Sequence, residues 1–237
     1  MKAKIFISTT FLFLFCLSTA YTQIGVKAGA GIAEIAFKYY GQTSYLGYEV
    51  NTLIHNYPRF STEAGFFGTF KVANRIDFQP EVLYSLKGLD YSTKFLYDDI
   101  TYRLNIHYLK FPLLFKYKTA LKKSRDSGIV LGPYASWKLK AKKKIEVEGQ
   151  KERAVVPNVK NFDFGLIAGF SFDYNLPKGQ LVIDLRSSYS LINMMDRIEG
   201  FIPDYEERSK DYARNVTLSL TVGYRFLNIW SQKAEKQ

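Results

Sequence analysis

Several stretches of this chain alternate strictly between apolar and polar side chains. Ile76, Phe78, Pro80, Val82, Tyr84 and Leu86 interleave with Asp77, Gln79, Glu81, Ser85 and Lys87. Phe162, Phe164, Leu166, Ala168, Phe170, Phe172 and Tyr174 interleave with Asp163, Gly165, Gly169, Ser171 and Asp173. Leu181, Ile183, Leu185 and Tyr189 stand against Asp184, Arg186, Ser188 and Ser190, and Val216, Leu218, Leu220, Val222, Tyr224 and Phe226 against Asn215, Thr217, Ser219, Thr221 and Arg225. A period of two marks strands with two unlike faces. In a soluble sandwich one of those faces would meet water. Here the apolar face is so continuous in Phe, Leu, Ile, Val and Tyr that a closed barrel in lipid accounts for it better.

The pattern predicts about eight strands, at roughly residues 24–35, 62–71, 76–86, 102–118, 128–140, 162–175, 180–191 and 215–226, a number allowed for the smallest outer-membrane barrels. The fourth is the least regular. Leu109, Phe111, Leu113, Phe115 and Tyr117 read as outward, whereas Arg103, Asn105 and His107 in the same phase are polar, which places them above the membrane. The expected class is all-β, an eight-stranded antiparallel up-and-down transmembrane β-barrel with an N-terminal signal peptide.

Connections alternate between long and short. The long, polar ones span 36–61, 87–101, 141–161 and 192–214; the short ones are VANR near Val72, KKSRDS near Lys122 and NLPKG from Asn175. Outer-membrane barrels put short turns in the periplasm and long loops outside. Both termini are therefore expected in the periplasm, with residues 227–237 as a periplasmic tail.

The N-terminus carries Lys2 and Lys4, then an apolar run, then Ser18 and Ala20 at the spacing of a cleavage site. It reads as a signal peptide over 1–20, leaving 21–226 as the barrel domain. The run is short for a membrane-spanning helix, and no other charge-free segment approaches the roughly 20 residues such a helix needs. The only cysteine, Cys16, lies inside this segment, and the residues before it are not those of a lipoprotein processing site. The mature chain is then expected to lack disulfides and thiolate metal sites.

Aromatic residues make up 16% of the chain, 18 Tyr and 19 Phe among them, an excess that interfacial girdles of a membrane barrel would use. The formal charge of +11 drops to +9 when Lys2 and Lys4 leave with the signal, and much of the remainder lies in KLKAKKKIEVEGQKER from Lys138. An exported chain seldom meets nucleic acid, so no nucleic-acid partner is expected. The charge suits outer-membrane lipid and lipopolysaccharide phosphates, or simply a solvated hairpin tip.

A barrel of this size has an interior only wide enough for side chains, which argues against free diffusion of nutrients. The lumen phase holds Lys27, Glu63, Lys71, Asp77, Glu81, Lys110, Lys116, Lys138, Asp163, Asp173, Asp184, Arg186 and Arg225. Mixed acids and bases in so narrow a space are expected to pair as a plug, since stranding one partner costs roughly 3–5 kcal/mol. The same residues would serve a proton or ion path. Glu81 and Lys110, on adjacent strands, are the first guess for a pair. Gly25, Gly29, Gly31, Gly65, Gly132, Gly165 and Gly169 share the lumen phase and are expected to relieve crowding where the wall curves. None sits in a phosphate-binding strand, loop and helix context.

Catalytic material is sparse. His55 and His107 are the only histidines, and a lipid hydrolase or acyltransferase at the outer rim would pair His107 with Ser61 or Ser92. No catalytic, cofactor or metal site is expected, and Asp98 with Asp99 reads as a solvated loop tip rather than a calcium site. The loop DRIEGFIPDYEERSKDY from Asp196 mixes aromatic and charged residues in a manner suited to protein contact.

The segments QPEVLYSLKG from Gln79, YLKFPLLFKY from Tyr108, GPYASWKLKAK from Gly132, DFGLIAGFSFDY from Asp163 and TLSLTVGYRF from Thr217 together resemble the PorT-like outer-membrane barrel family of the Bacteroidota. The opening IGVKAGAG from Ile24 looks like that family's first strand. The resemblance covers essentially the whole mature chain. It implies a small outer-membrane barrel without enzyme activity. The founding member serves type IX secretion of surface and gliding proteins; most other members have no assigned role. Three readings follow: an anchor or accessory whose loops or tail contact envelope or secretion proteins or surface glycan, an outer-membrane lipid-modifying enzyme using His107, and a soluble periplasmic ligand-binding barrel of lipocalin type.

Overall fold

A computed structural model describes residues 22–38, 43–45, 48–50, 55–95, 98–122, 125–147, 150–155, 159–194 and 212–226. The expected signal peptide and the tail from Leu227 lie outside the described residues. The strands are β1 (Thr22–Lys38), β2 (Thr43–Tyr45), β3 (Tyr48–Val50), β4 (His55–Ala73), β5 (Ile76–Phe95), β6 (Asp98–Lys122), β7 (Arg125–Val147), β8 (Gln150–Val155), β9 (Phe162–Leu176), β10 (Gly179–Ser190) and β11 (Tyr212–Phe226). No described residue is helical.

Eight of these strands close on themselves. Antiparallel neighbours run β6, β5, β4, β1, β11, β10, β9 and β7, and the β6–β7 pairing completes an eight-stranded barrel. Closure pairs every wall strand on both sides, which removes the sheet edges that lipid could not satisfy. The strands are steeply staggered. Backbone partners followed once around, from Lys110 through Leu83, Gly65, Lys27, Gly223, Val182, Asp173 and Asp126, return to β6 at Leu121, eleven residues from the start. That stagger is the tilt a small closed barrel requires.

The outward face is apolar all the way round. One register row runs Ala30, Leu220, Leu185, Phe170, Ile129, Tyr117 and Ile76. Along β9 the exposed and buried positions alternate, with Phe162, Phe164, Leu166, Phe170, Phe172 and Tyr174 outside. The inward face is mixed rather than wholly polar. Leu83, Leu114, Val130, Ile167 and Val182 are buried among the charged positions.

Two lumen glycines show why the wall needs them. A Cβ built on Gly65 would press into the Val82 carbonyl oxygen of β5, and one on Gly132 into the Leu113 carbonyl oxygen of β6. The neighbouring strand approaches too closely on the concave side for any side chain.

The eight wall strands differ greatly in length, from 12 residues in β10 to 25 in β6. A membrane needs only about 9–11 residues of tilted strand, so β4 to β7 continue well past it on one side. Residues 87–101, expected as a loop, are mostly a hairpin: β5 and β6 pair from Lys87 with Ile106 up to Phe95 with Asp98. Residues 141–161, also expected as a loop, begin with the end of β7, which pairs with β8 from Lys142 with Val155 to Val147 with Gln150. The first long connection holds the small β2–β3 hairpin. Both corrections have one origin. Charged residues in Lys87–Phe95 and Lys140–Val147 look like loop composition, but above lipid the outward face of a strand meets water and can carry charge. Of the last long connection, residues 195–211 lie outside the described residues.

The turns at residues 74–75 and 177–178 and the last β6–β7 pair, Lys122 with Arg125, fall at one end of the barrel. The raised strands stand at the other.

Candidate functional site

The lumen is the most chemically specific part of the molecule. Near its middle, Lys27 Nζ lies 2.8 Å from Glu81 Oε1 and 2.7 Å from Asp184 Oδ2. The Arg186 guanidinium grips Glu81 with both nitrogens, at 2.7 and 2.8 Å, and donates to Asp184 at 2.7 Å. Gln79 Nε2 donates to Glu81 at 2.7 Å. Two cations and two carboxylates thus neutralise one another. The bidentate fork is the geometry for which guanidinium is suited.

Smaller clusters flank this one. Lys110 lies 3.5 Å from Glu63, which also accepts from Ser219 Oγ at 3.0 Å. Toward the turn end, Asp173 takes Lys116 at 2.5 Å and Arg225 at 2.7 Å. Beyond it Lys118 reaches Asp77 at 2.9 Å and Asp126 at 3.8 Å. Toward the raised end, Asp163 accepts from Ser190 Oγ at 2.6 Å and from Tyr134 OH and Asn215 Nδ2 at 3.2 Å each. Lys87, buried here, has no hydrogen-bond partner among the described residues; its ammonium lies 5.7 Å from the Tyr108 ring and 5.3 Å from the Tyr134 ring. Ring faces attract cations, and the Tyr134 ring also receives Lys110 at 5.0 Å.

Of the lumen charges expected from sequence, Lys27, Glu63, Asp77, Glu81, Lys110, Lys116, Asp163, Asp173, Asp184, Arg186 and Arg225 are buried. Lys71 is not: it is exposed beside the turn at 74–75, where the barrel ends. Lys138 is half-buried at the opposite rim and donates to the Val159 carbonyl. The guessed Glu81–Lys110 pair does not form. Lys110 is level in register with Leu83, and the stagger of the strands brings Glu63 to it while Lys27 and Arg186 take Glu81. Lys87, Lys118 and Tyr134 were not among the expected partners. Phase marked Lys87, and it placed Tyr134 inside with Gly132 and Lys138, but nothing local showed what either would meet.

The lumen does not form an open pore at this level. The side chains of Lys27, Glu81 and Asp184 are 0% exposed, and apolar Leu83, Leu114 and Val182 are buried inside the same wall.

The rim histidine is placed differently from the dyad considered above. His107 lies on the outward side of β6, with Nδ1 2.5 Å from Tyr84 OH. Ser61 is buried inside the lumen, and Ser92 lies six residues beyond Leu86, the partner of His107, or about 20 Å along the strand. His107 therefore meets neither serine. Among the described residues no group of three His, Cys, Asp or Glu side chains is arranged to hold a metal.

The family model described as "Outer membrane protein beta-barrel domain" matches residues 17–196. The chain belongs to this family. Solved outer membrane β-barrels are similar in fold. OprG from Pseudomonas aeruginosa is 12% identical with a TM-score of 0.45, covering 88% of this chain and 98% of its own. Neisserial surface protein A is 15% identical with a TM-score of 0.39, covering 86% and 97%. Ail of Yersinia pestis, crystallised with a heparin analogue, is 14% identical with a TM-score of 0.36, covering 86% and 99%. No curated protein matches the sequence. As an outer membrane β-barrel, the protein has its continuous outward apolar row in lipid and its charged network inside the wall.

Proposed function

We propose that this outer membrane β-barrel is a non-enzymatic anchor of PorT-like type, an accessory in envelope assembly or type IX protein secretion. The observation that carries this reading is the division of the molecule. The membrane part is plugged by neutralised charge, and the polar sequence is concentrated in β5 to β8 above it, where a partner can be met. A lumen closed by the Lys27, Glu81, Asp184 and Arg186 cluster favours anchoring over transport of solutes. Termini and short turns face the periplasm in this reading, and the raised sheet faces outward.

Deleting the gene and comparing the secreted and surface proteome with the complemented strain tests the role. The expected result is loss of many surface proteins, with precursors retained in the periplasm. An unchanged profile would remove the secretion role and leave surface recognition at the raised strands.

A further inference from the structure

One irregularity in β7 changes the side on which its basic residues emerge. Below it, Tyr134 and Ser136 point into the lumen while Leu131, Trp137 and Leu139 point out. Between Lys138 and Lys140 the register against β6 slips: Tyr108 pairs with Lys138, but the adjacent His107 pairs with Lys140. Two residues of β7 oppose one of β6, which is a β-bulge. The phase inverts. Leu139 and Lys140 are consecutive and both exposed, and Ala141 is buried.

The consequence falls on three lysines. Without the slip, Lys140, Lys142 and Lys144 would share the lumen phase of Ser136 and Lys138. With it, Lys140 and Lys142 are exposed and Lys144 half-exposed on the outward side, opposite His107, Asn105 and Arg103 of β6. Their spacing along the strand is roughly 7 Å from one to the next. Immediately below them Trp137 is 56% and Leu139 54% exposed, at the upper border of the apolar band. Indole rings mark the headgroup level of a bilayer.

We propose that the outward face of β7 at Lys140, Lys142 and Lys144 is a binding ledge for the phosphate groups of an outer-leaflet glycolipid. The inference rests on the outward orientation of the raised sheet given under the proposed function. Three arguments select this occupant. The ledge is continuous with the lipid-facing surface, so a lipid already seated against Trp137 and Leu139 meets it without a separate docking step. Three consecutive positions of this phase are positive before Glu146 ends the run, and these three ammoniums have no ion-pair partner among the described residues. The bulge turns them toward the leaflet rather than into a lumen that already balances its own charges. Ammonium groups near an anionic membrane surface each contribute attraction that is additive and screened by salt.

The test uses the full-length protein purified in a neutral detergent and titrated with purified lipopolysaccharide, dephosphorylated lipopolysaccharide and inorganic phosphate. The K140Q/K142Q/K144Q variant is compared with K71Q/K178Q, which removes exposed lysines at the turn end. Affinity for lipopolysaccharide is expected to fall roughly 10-fold or more in the triple variant and to stay unchanged in the control. Dephosphorylation should reproduce the loss in the wild type, and millimolar phosphate should compete poorly. Equal binding by the triple variant and wild type, or equal binding of dephosphorylated lipid, would overturn the ledge. Effective competition by inorganic phosphate would overturn the lipid as its source. Retained heat-modifiable migration shows that the variant is folded. Labelling of Lys142→Cys on intact cells by an impermeant maleimide separately tests orientation, and its failure would sink the outward reading without touching the lysine chemistry.

Discussion

Replacing Arg186 by Ala will destabilise the barrel by about 3–5 kcal/mol. The guanidinium is the hub of the central cluster, donating three hydrogen bonds to Glu81 and Asp184. Its removal leaves two carboxylates with Lys27 alone, a net negative charge where the side chains are 0% exposed and water cannot compensate. Urea unfolding of the full chain in lipid vesicles, followed by tryptophan fluorescence, reads the loss. A paired change separates the charge from the packing. Arg186→Met with Glu81→Leu leaves Lys27 facing Asp184 as a neutral pair, and it should cost less than R186A alone. A double variant as unstable as the sum of the two single changes would mean that the residues act independently and that no network exists.

The second large effect is expected on the other side of the wall. Leu220 is 52% exposed, lies between Leu218 and Val222, and pairs with Ala30 and Leu185, both also on the apolar row. Leu220→Arg should cost about 2–4 kcal/mol near the bilayer midplane, whereas Phe226→Arg at the turn end should cost only about 0–1 kcal/mol. The same substitution thus measures depth. Equal small costs at both positions would place the row in water.

The strands β9, β10 and β11 were legible because each keeps one phase throughout and is confined to the membrane-spanning height. There the alternation of Asp163 through Tyr174, or of Asn215 through Phe226, reports one fact, lipid outside and lumen inside. Beyond that height the rule lapses. The residues after Lys87 and Lys140 are rich in charge, with Asp90 and Lys94 in the first segment and Lys142, Lys143, Lys144 and Glu146 in the second, and composition alone made them look like loops. Bulges are equally silent in sequence: nothing in WKLKAKKK shows that the phase turns over at Leu139 and Lys140. The lumen inventory was readable from phase, but the pairing was not. Pairing depends on an eleven-residue stagger that sums over eight strand contacts, so Glu81 and Lys110, adjacent by strand order, are partners of other residues. Buried Leu83 and Ile167 escaped for a related reason, since an apolar residue in the lumen phase is indistinguishable from an interruption of the pattern.

The most direct test of the account is a cysteine scan across residues 215–226 in the full chain, with Cys16 replaced, each site carrying a nitroxide in lipid vesicles. The account predicts oxygen accessibility at Val216, Leu218, Leu220, Val222 and Tyr224, greatest near Leu220. At Thr217, Ser219 and Thr221 it predicts exclusion of both oxygen and a water-soluble nickel chelate. Free access of the chelate at those three positions would reveal an open, water-filled pore and contradict the plugged barrel; accessibility without a period of two would contradict the two-faced strand itself.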